Sequence, residues 1–160
     1  MEGAGQPVDE IERIEQAIMQ ISWLGQRQFM QLLDDERFRL TLPQFYTLLH
    51  LHQSDGPSKM TDLAELTHQS AASLTGVVDR LLEKELVERA RHEKDRRQVM
   101  VEATPRGRTV IVAIKRARRE QMRAALGNLS EADLDTLQRL LDHVLEGMLR
   151  VLDWGEHRWA

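Results

Sequence analysis

Two short helical stretches, residues 59–66 and 70–84, are separated only by Thr67-His68-Gln69, and no other feature limits the folding of this chain as tightly. The second stretch places Leu74, Val77, Val78, Leu81 and Leu82 on one face. A three-residue joint ahead of such a helix is the spacing of a helix-turn-helix. The opposite face is small and polar. A helix entering a major groove must be nearly bare on its leading side, because bulky side chains hold the backbone away from base edges. Gln69, Ser70, Ala71, Ala72, Ser73, Thr75 and Gly76 meet that requirement. Gln69, Ser70, Ser73 and Thr75 carry groups that donate to or accept from bases and phosphates, alanine matches a thymine methyl, and Arg80 matches a phosphate or a guanine. The same residues equally describe a solvated polar face with ordinary caps.

Helical periodicity flanks this core. Ile11, Ile14, Ile18, Ile21, Phe29 and Leu32 mark one long amphipathic helix over 8–33, with a bend expected at Gly25. Thr41-Leu42-Pro43-Gln44 reads as a capping box that opens a helix over 42–53, and Ser54-Asp55-Gly56-Pro57-Ser58 ends it. Leu86–Arg91 and Gln98–Ala103 read as strands joined by the charged tip His92-Glu93-Lys94-Asp95-Arg96-Arg97, the second strand alternating Val99, Val101 and Ala103 against Met100 and Glu102. Thr104-Pro105 opens a helix to Leu126, which Gly127-Asn128 closes through a left-handed residue. Ser130 and Asp133 cap a last helix whose Leu134, Leu137, Leu141, Val144, Met148 and Leu152 form a near-heptad seam.

The expected fold is therefore mainly α with a small β-hairpin wing: a winged helix-turn-helix lobe plus terminal helices forming a dimerisation unit. Its expected divisions are an N-terminal dimerisation helix (1–35), the DNA-binding lobe (36–104) and C-terminal linker and dimerisation helices (105–160). The end helices carry more apolar surface than one lobe can cover, which argues for a homodimer.

Net charge is −4, which taken alone disfavours phosphate binding, but the charges are unevenly distributed. Between Arg89 and Arg119 eleven Lys or Arg face three acidic residues, so this segment carries +8 and the remainder −12. Arg91, Lys94, Asp95, Arg96 and Arg97 are the candidate wing contacts: a tip held at both ends by strand pairing is a rigid mount for a guanidinium entering the minor groove. Asp95 is expected to hold one arginine in a two-point contact and to cap the turn. An exposed charged hairpin without a partner is the plainer alternative.

Together Asp62-Leu63-Ala64-Glu65-Leu66, Ser70 to Leu82, Leu86-Val87-Glu88-Arg89, Asp95-Arg96-Arg97 and Thr104-Pro105-Arg106-Gly107 resemble the MarR family of winged-helix regulators over residues 41–110. The resemblance implies interleaved terminal helices, a recognition helix over Ser70–Lys84, and two lobes reading a pseudo-palindrome in double-stranded DNA, most commonly as a ligand-responsive repressor. It also implies a cleft for a small aromatic or phenolic effector near Trp23, Phe29, Tyr46, His50 and Ile111, although such residues more often serve as core packing. The sequence departs from the family pattern at Glu85, where glycine is common, and at His92-Glu93-Lys94, where proline is common.

Other classes find little support. No glycine-rich phosphate loop, Gly-x-Ser-x-Gly elbow or His-Glu-x-x-His pair occurs, so no enzyme is expected. Without cysteine there is no thiolate chemistry, and the six histidines lack recognised ligand spacing, so neither metal nor cofactor is expected. The acidic start and the absence of an apolar run of about 18 residues suggest a soluble, cytoplasmic protein without membrane contact. The competing functional class is a winged helix that docks a protein rather than DNA.

Overall fold

In the computed structural model, which describes residues 9–54, 56–91 and 99–152, the capping signals act as expected. Thr41 accepts the Gln44 amide at 3.4 Å while the Gln44 side chain accepts the Thr41 amide at 3.2 Å, opening α2 (Leu42–Gln53) after α1 (Glu10–Asp34). α3 (Met60–Leu66) and α4 (Ala71–Glu83) follow, and then β2 (Val87–Arg91), β3 (Val99–Ala103), α5 (Pro105–Leu126) and α6 (Glu131–Val151). A two-residue strand, β1 (Ser58–Lys59), precedes α3. It pairs antiparallel with β3, Ser58 opposite Val101, so the sheet order is β1-β3-β2.

Three local expectations are corrected. α1 continues unbroken through Gly25, around which a Cβ would meet nothing within 4 Å. Gly127 is not left-handed, and α5 ends in a turn whose Leu129 amide reaches the Leu126 carbonyl at 3.0 Å. Met100 is buried although it lies on the polar phase of β3, because this strand is central and has Lys59 and Ala90 as lateral neighbours.

The chain divides into two compact units, one ending at Arg118 and the other beginning at Arg119. In the first, Leu33 of α1, Leu48 and Leu51 of α2, Leu63 of α3, Leu74 and Leu81 of α4, Val101 of β3, and Ile111 and Ile114 of α5 form one core. Both helices that flank the expected lobe of 36–104, α1 and α5, lend apolar side chains to this core. In the second unit α6 is capped by Ser130 and Asp133 in a reciprocal box and has no buried residue. Among the described residues no helix is long and apolar enough to cross a membrane.

Burial sets one pH response. His50 is held below 6.5 by burial and then by the charge of His68; His52 is held below 6.5 by burial and then by Lys115 and Arg108. The buried Nδ1 of His52 has no hydrogen-bond partner among the described residues, so a proton there would be unmatched. Both imidazoles bind protons more weakly folded than unfolded, so their contribution is complete above pH 6.5 and is lost as pH falls from there through their lower folded values. Thermal melts are expected to show a lower midpoint at pH 5 than at pH 7.5, with the difference reduced in His50→Gln and His52→Gln. An unchanged difference in both variants would assign the acid sensitivity to other groups.

Candidate nucleic-acid interface

The joint between α3 and α4 is closed by two backbone bonds, Gln69 amide to Ala64 carbonyl at 2.9 Å and His68 amide to Glu65 carbonyl at 3.1 Å. This pattern needs a left-handed residue after the helix, and His68 supplies it with φ 52°. Ser70 then caps α4 by accepting the Ser73 amide at 3.2 Å. Leu74, Val78 and Leu81 anchor one face of α4 in the core, which turns Ser70, Ala71, Ala72, Ser73, Thr75, Gly76 and Arg80 outward, all exposed. A Cβ at Gly76 would meet nothing within 4 Å, so the centre of this face is bare.

Side-chain ties secure α4 at both ends. Near its start, Gln69 is half-buried and its Nε2 donates to the fully buried Thr47 hydroxyl of α2 at 3.1 Å. Near its end, Lys84 Nζ donates to the Arg39 carbonyl and, at 3.4 Å, to Gln44 Oε1. Burial, followed by the charges of Arg39 and Arg80, pushes the Lys84 ammonium below its ordinary value. Gln69, expected to read bases, thus spends its amide nitrogen inside the lobe and acts first as a positioning residue. Thr47→Val leaves that half-buried amide unmatched and is expected to cost about 1–2 kcal/mol in urea unfolding. A change within error would mean that solvent replaces the tie.

Sequence reading did not single out Thr47 at all, nor show that Gln44, expected only as a helix cap, and Lys84 tie α2 to the end of α4. A signal was present: Gln44 and Thr47 are polar residues on the stripe that continues through Leu48 and Leu51.

The carboxylates on the exposed side of α4 are each met by a guanidinium. Asp79 pairs with Arg89 of β2 at 3.3 Å, and Glu83 with Arg80 at 3.7 Å. The first contact links α4 to the wing strand. Lys94, Asp95, Arg96 and Arg97 lie outside the described residues, as does the side chain of Arg91, whose backbone pairs with Val99. The described part of the +8 run beyond the wing lies on one helix. Arg106, Arg108, Lys115, Arg116, Arg118 and Arg119 belong to α5, where Arg106 pairs with Glu85 at 2.9 Å and Arg108 donates to the His52 carbonyl at 3.4 Å.

Of the effector candidates, Phe29 and Ile111 are buried in the core. Phe29 meets Phe45 edge-on at 4.9 Å, Phe45 meets Tyr46 at 5.4 Å, and the Arg118 guanidinium lies 4.8 Å from the centre of the Phe29 ring. Tyr46 is exposed at the end of this aromatic run, and His50 is half-buried. Trp23 is exposed on α1 beneath Arg27, 5.3 Å from its ring. Among the described residues no group of three or more His, Asp or Glu is arranged to hold a metal ion.

Residues 40–99, spanning α2 to the start of β3, match the MarR family. The HTH-type transcriptional regulator YpoP of Bacillus subtilis is 31% identical over 110 residues, 69% of this chain and 75% of its own length. This chain belongs to the MarR family. The HTH-type transcriptional repressor NicR of Pseudomonas putida is 32% identical over 108 residues, 68% of each chain. In fold, a mutant of the S. aureus transcription regulator MepR, bound to an oligodeoxyribonucleotide, superposes with a TM-score of 0.68 at 22% identity, covering 84% of this chain and 97% of its own. The MarR assignment makes the chain a helix-turn-helix transcriptional regulator, a role that its named relatives hold in place of an enzymatic one.

Proposed function

We propose that this regulator binds a pseudo-palindromic duplex as a homodimer, with α4 in the major groove and the β2–β3 wing at the minor groove. The observation that carries the reading is the bare outer face of α4, with Ala72 and Gly76 open to solvent on a helix tied at both ends to α2. Ser70, Ala71, Ala72, Ser73, Thr75 and Arg80 are the proposed groove contacts, with Gln69 behind them. Arg91, Lys94, Arg96 and Arg97, with Asp95 steering one of the arginines, are the proposed wing contacts. The oligodeoxyribonucleotide-bound MepR structure and the repressor NicR support a DNA-binding repressor; such a protein would act where the DNA is, in the cytoplasm. Relief by a small aromatic or phenolic effector would act through the aromatic run of Phe29, Phe45 and Tyr46, with Trp23, His50 and Ile111 as further contacts.

Selection of bound duplexes from a random library tests this. The expected product is an inverted repeat with half-sites about 10 bp apart, or a multiple of that. Its affinity should fall steeply with salt, and the slope should diminish by about 1 for each of Arg96→Ala and Arg97→Ala. Failure to enrich any duplex would favour the protein-docking alternative. Against that alternative stands the lack of an aromatic anchor on the exposed face of α4, where a protein interface would concentrate its binding energy.

A further inference from the structure

The direction of each hydroxyl hydrogen bond on α4 carries information about which base edge it can read. Thr75 is exposed, and its Oγ1 donates to the Ala71 carbonyl one turn back at 2.8 Å. A hydroxyl has a single proton and two lone pairs. With the proton committed to the helix, Thr75 offers outward only acceptor lone pairs and its methyl group. Ser73 has the same polarity, since its Oγ donates to Gln69 Oε1 at 3.5 Å while the Gln69 nitrogen rests on Thr47. Ser70 is the opposite case. Its oxygen accepts the Ser73 amide at 3.2 Å, which leaves its proton free to donate.

We propose that Thr75 is a specificity-determining residue that accepts a hydrogen bond from an exocyclic amino group in the major groove, the N6 of adenine or the N4 of cytosine. These are the two donors that the major groove presents; N7, O6 and O4 are acceptors and would require a donating hydroxyl. To serve as a donor, Thr75 must first break its bond to Ala71. Gly76 and Ala72 beside it leave room for the base edge to come within hydrogen-bonding distance. The inference rests on the duplex-binding reading and adds to it the chemical group that is read.

The test couples single groups on protein and DNA. A site selected with the full-length protein is compared for the parent and Thr75→Val, which keeps the side-chain shape and removes the hydroxyl. Loss of the hydroxyl should weaken the best site about 3- to 10-fold. At the base pair whose preference disappears in Thr75→Val, replacing adenine by purine, or cytosine by 2-pyrimidinone, deletes the amino group. That deletion should cost the parent a similar factor and cost Thr75→Val almost nothing further, while 7-deaza replacement of the purine in the same pair should change the affinity of both proteins by the same factor. Coupling of Thr75 to the purine N7 instead of the amino group would overturn the proposal while leaving duplex binding intact. So would an unchanged site preference in Thr75→Val. If no duplex is enriched by the parent, the duplex-binding reading fails, and this inference fails with it.

Discussion

Gly107→Ala is expected to lower the unfolding free energy by about 3 kcal/mol or more, the largest effect of a Cβ at any of the described glycines. A Cβ at 107 would be driven into the Leu86 carbonyl, with the Leu48 Cδ1 atom only 3.1 Å away. The obstacle is backbone, so no rotamer change relieves it. The first turn of α5 is bolted to the turn between α4 and β2: the Thr104 amide donates to the Leu86 carbonyl at 3.1 Å, and the Thr104 hydroxyl donates to the Glu85 carbonyl at 2.8 Å while accepting the Gly107 amide at 3.0 Å. Moving α5 away would stretch all of these bonds. Gly25→Ala is the control, since a methyl in an open helix interior should raise stability by about 0.5–1 kcal/mol. Urea unfolding of both variants makes the comparison; equal stabilities would mean that α5 does not press on Leu86 in solution.

This contact also explains a pattern that the sequence displayed without its reason. Thr104-Pro105-Arg106-Gly107 was readable as a helix start because capping is local, but the need for glycine depends on Leu86, which is distant in sequence. Local signals were legible in general. The box at Thr41 and Gln44 opens α2 at the residue expected, and the apolar spacing from Leu74 to Leu82 places α4 within one residue at each end.

What escaped reading was long-range. β1 has two residues, too few for any periodicity, and exists only because Ser58 meets Val101 across the fold. The same limit governs Glu85. A glutamate at this position argues against a left-handed helix end, yet its φ is 58°. Its amide reaches the Leu82 carbonyl at 2.9 Å and the next amide reaches Leu81 at 3.0 Å, bonds that offset part of the conformational cost. For the candidate site, the sequence identified which side of α4 is bare, but it did not show that Asp79 on that helix is met by Arg89 of β2. It also treated Gln69 as a free reader, because the buried Thr47 that holds it lies on another helix.

The second large effect is expected at α6. A helix of 21 residues with no buried side chain is marginal in water, because helices of this length draw most of their stability from packing an apolar face. Leu140, Leu141, Val144, Leu145, Met148 and Leu149 of α6 are all exposed in the single chain, as are Ile11, Ile14, Ile21 and Leu24 of α1. The proposed homodimer would cover these faces, and such cover would explain why so much apolar surface is tolerated. Leu141→Glu combined with Leu145→Glu puts two carboxylates on the α6 face, and burying either one unpaired would cost several kcal/mol. Sedimentation at micromolar concentration is therefore expected to show a dimer for the parent and a monomer for the variant. Without the second lobe the advantage of intramolecular binding is lost, and affinity for an inverted repeat should fall about 100-fold or more, toward that of one half-site. A variant that remains dimeric and binds the repeat with parental affinity would place the subunit seam elsewhere, whereas a parent that sediments as a monomer would remove the homodimer from the proposed function altogether.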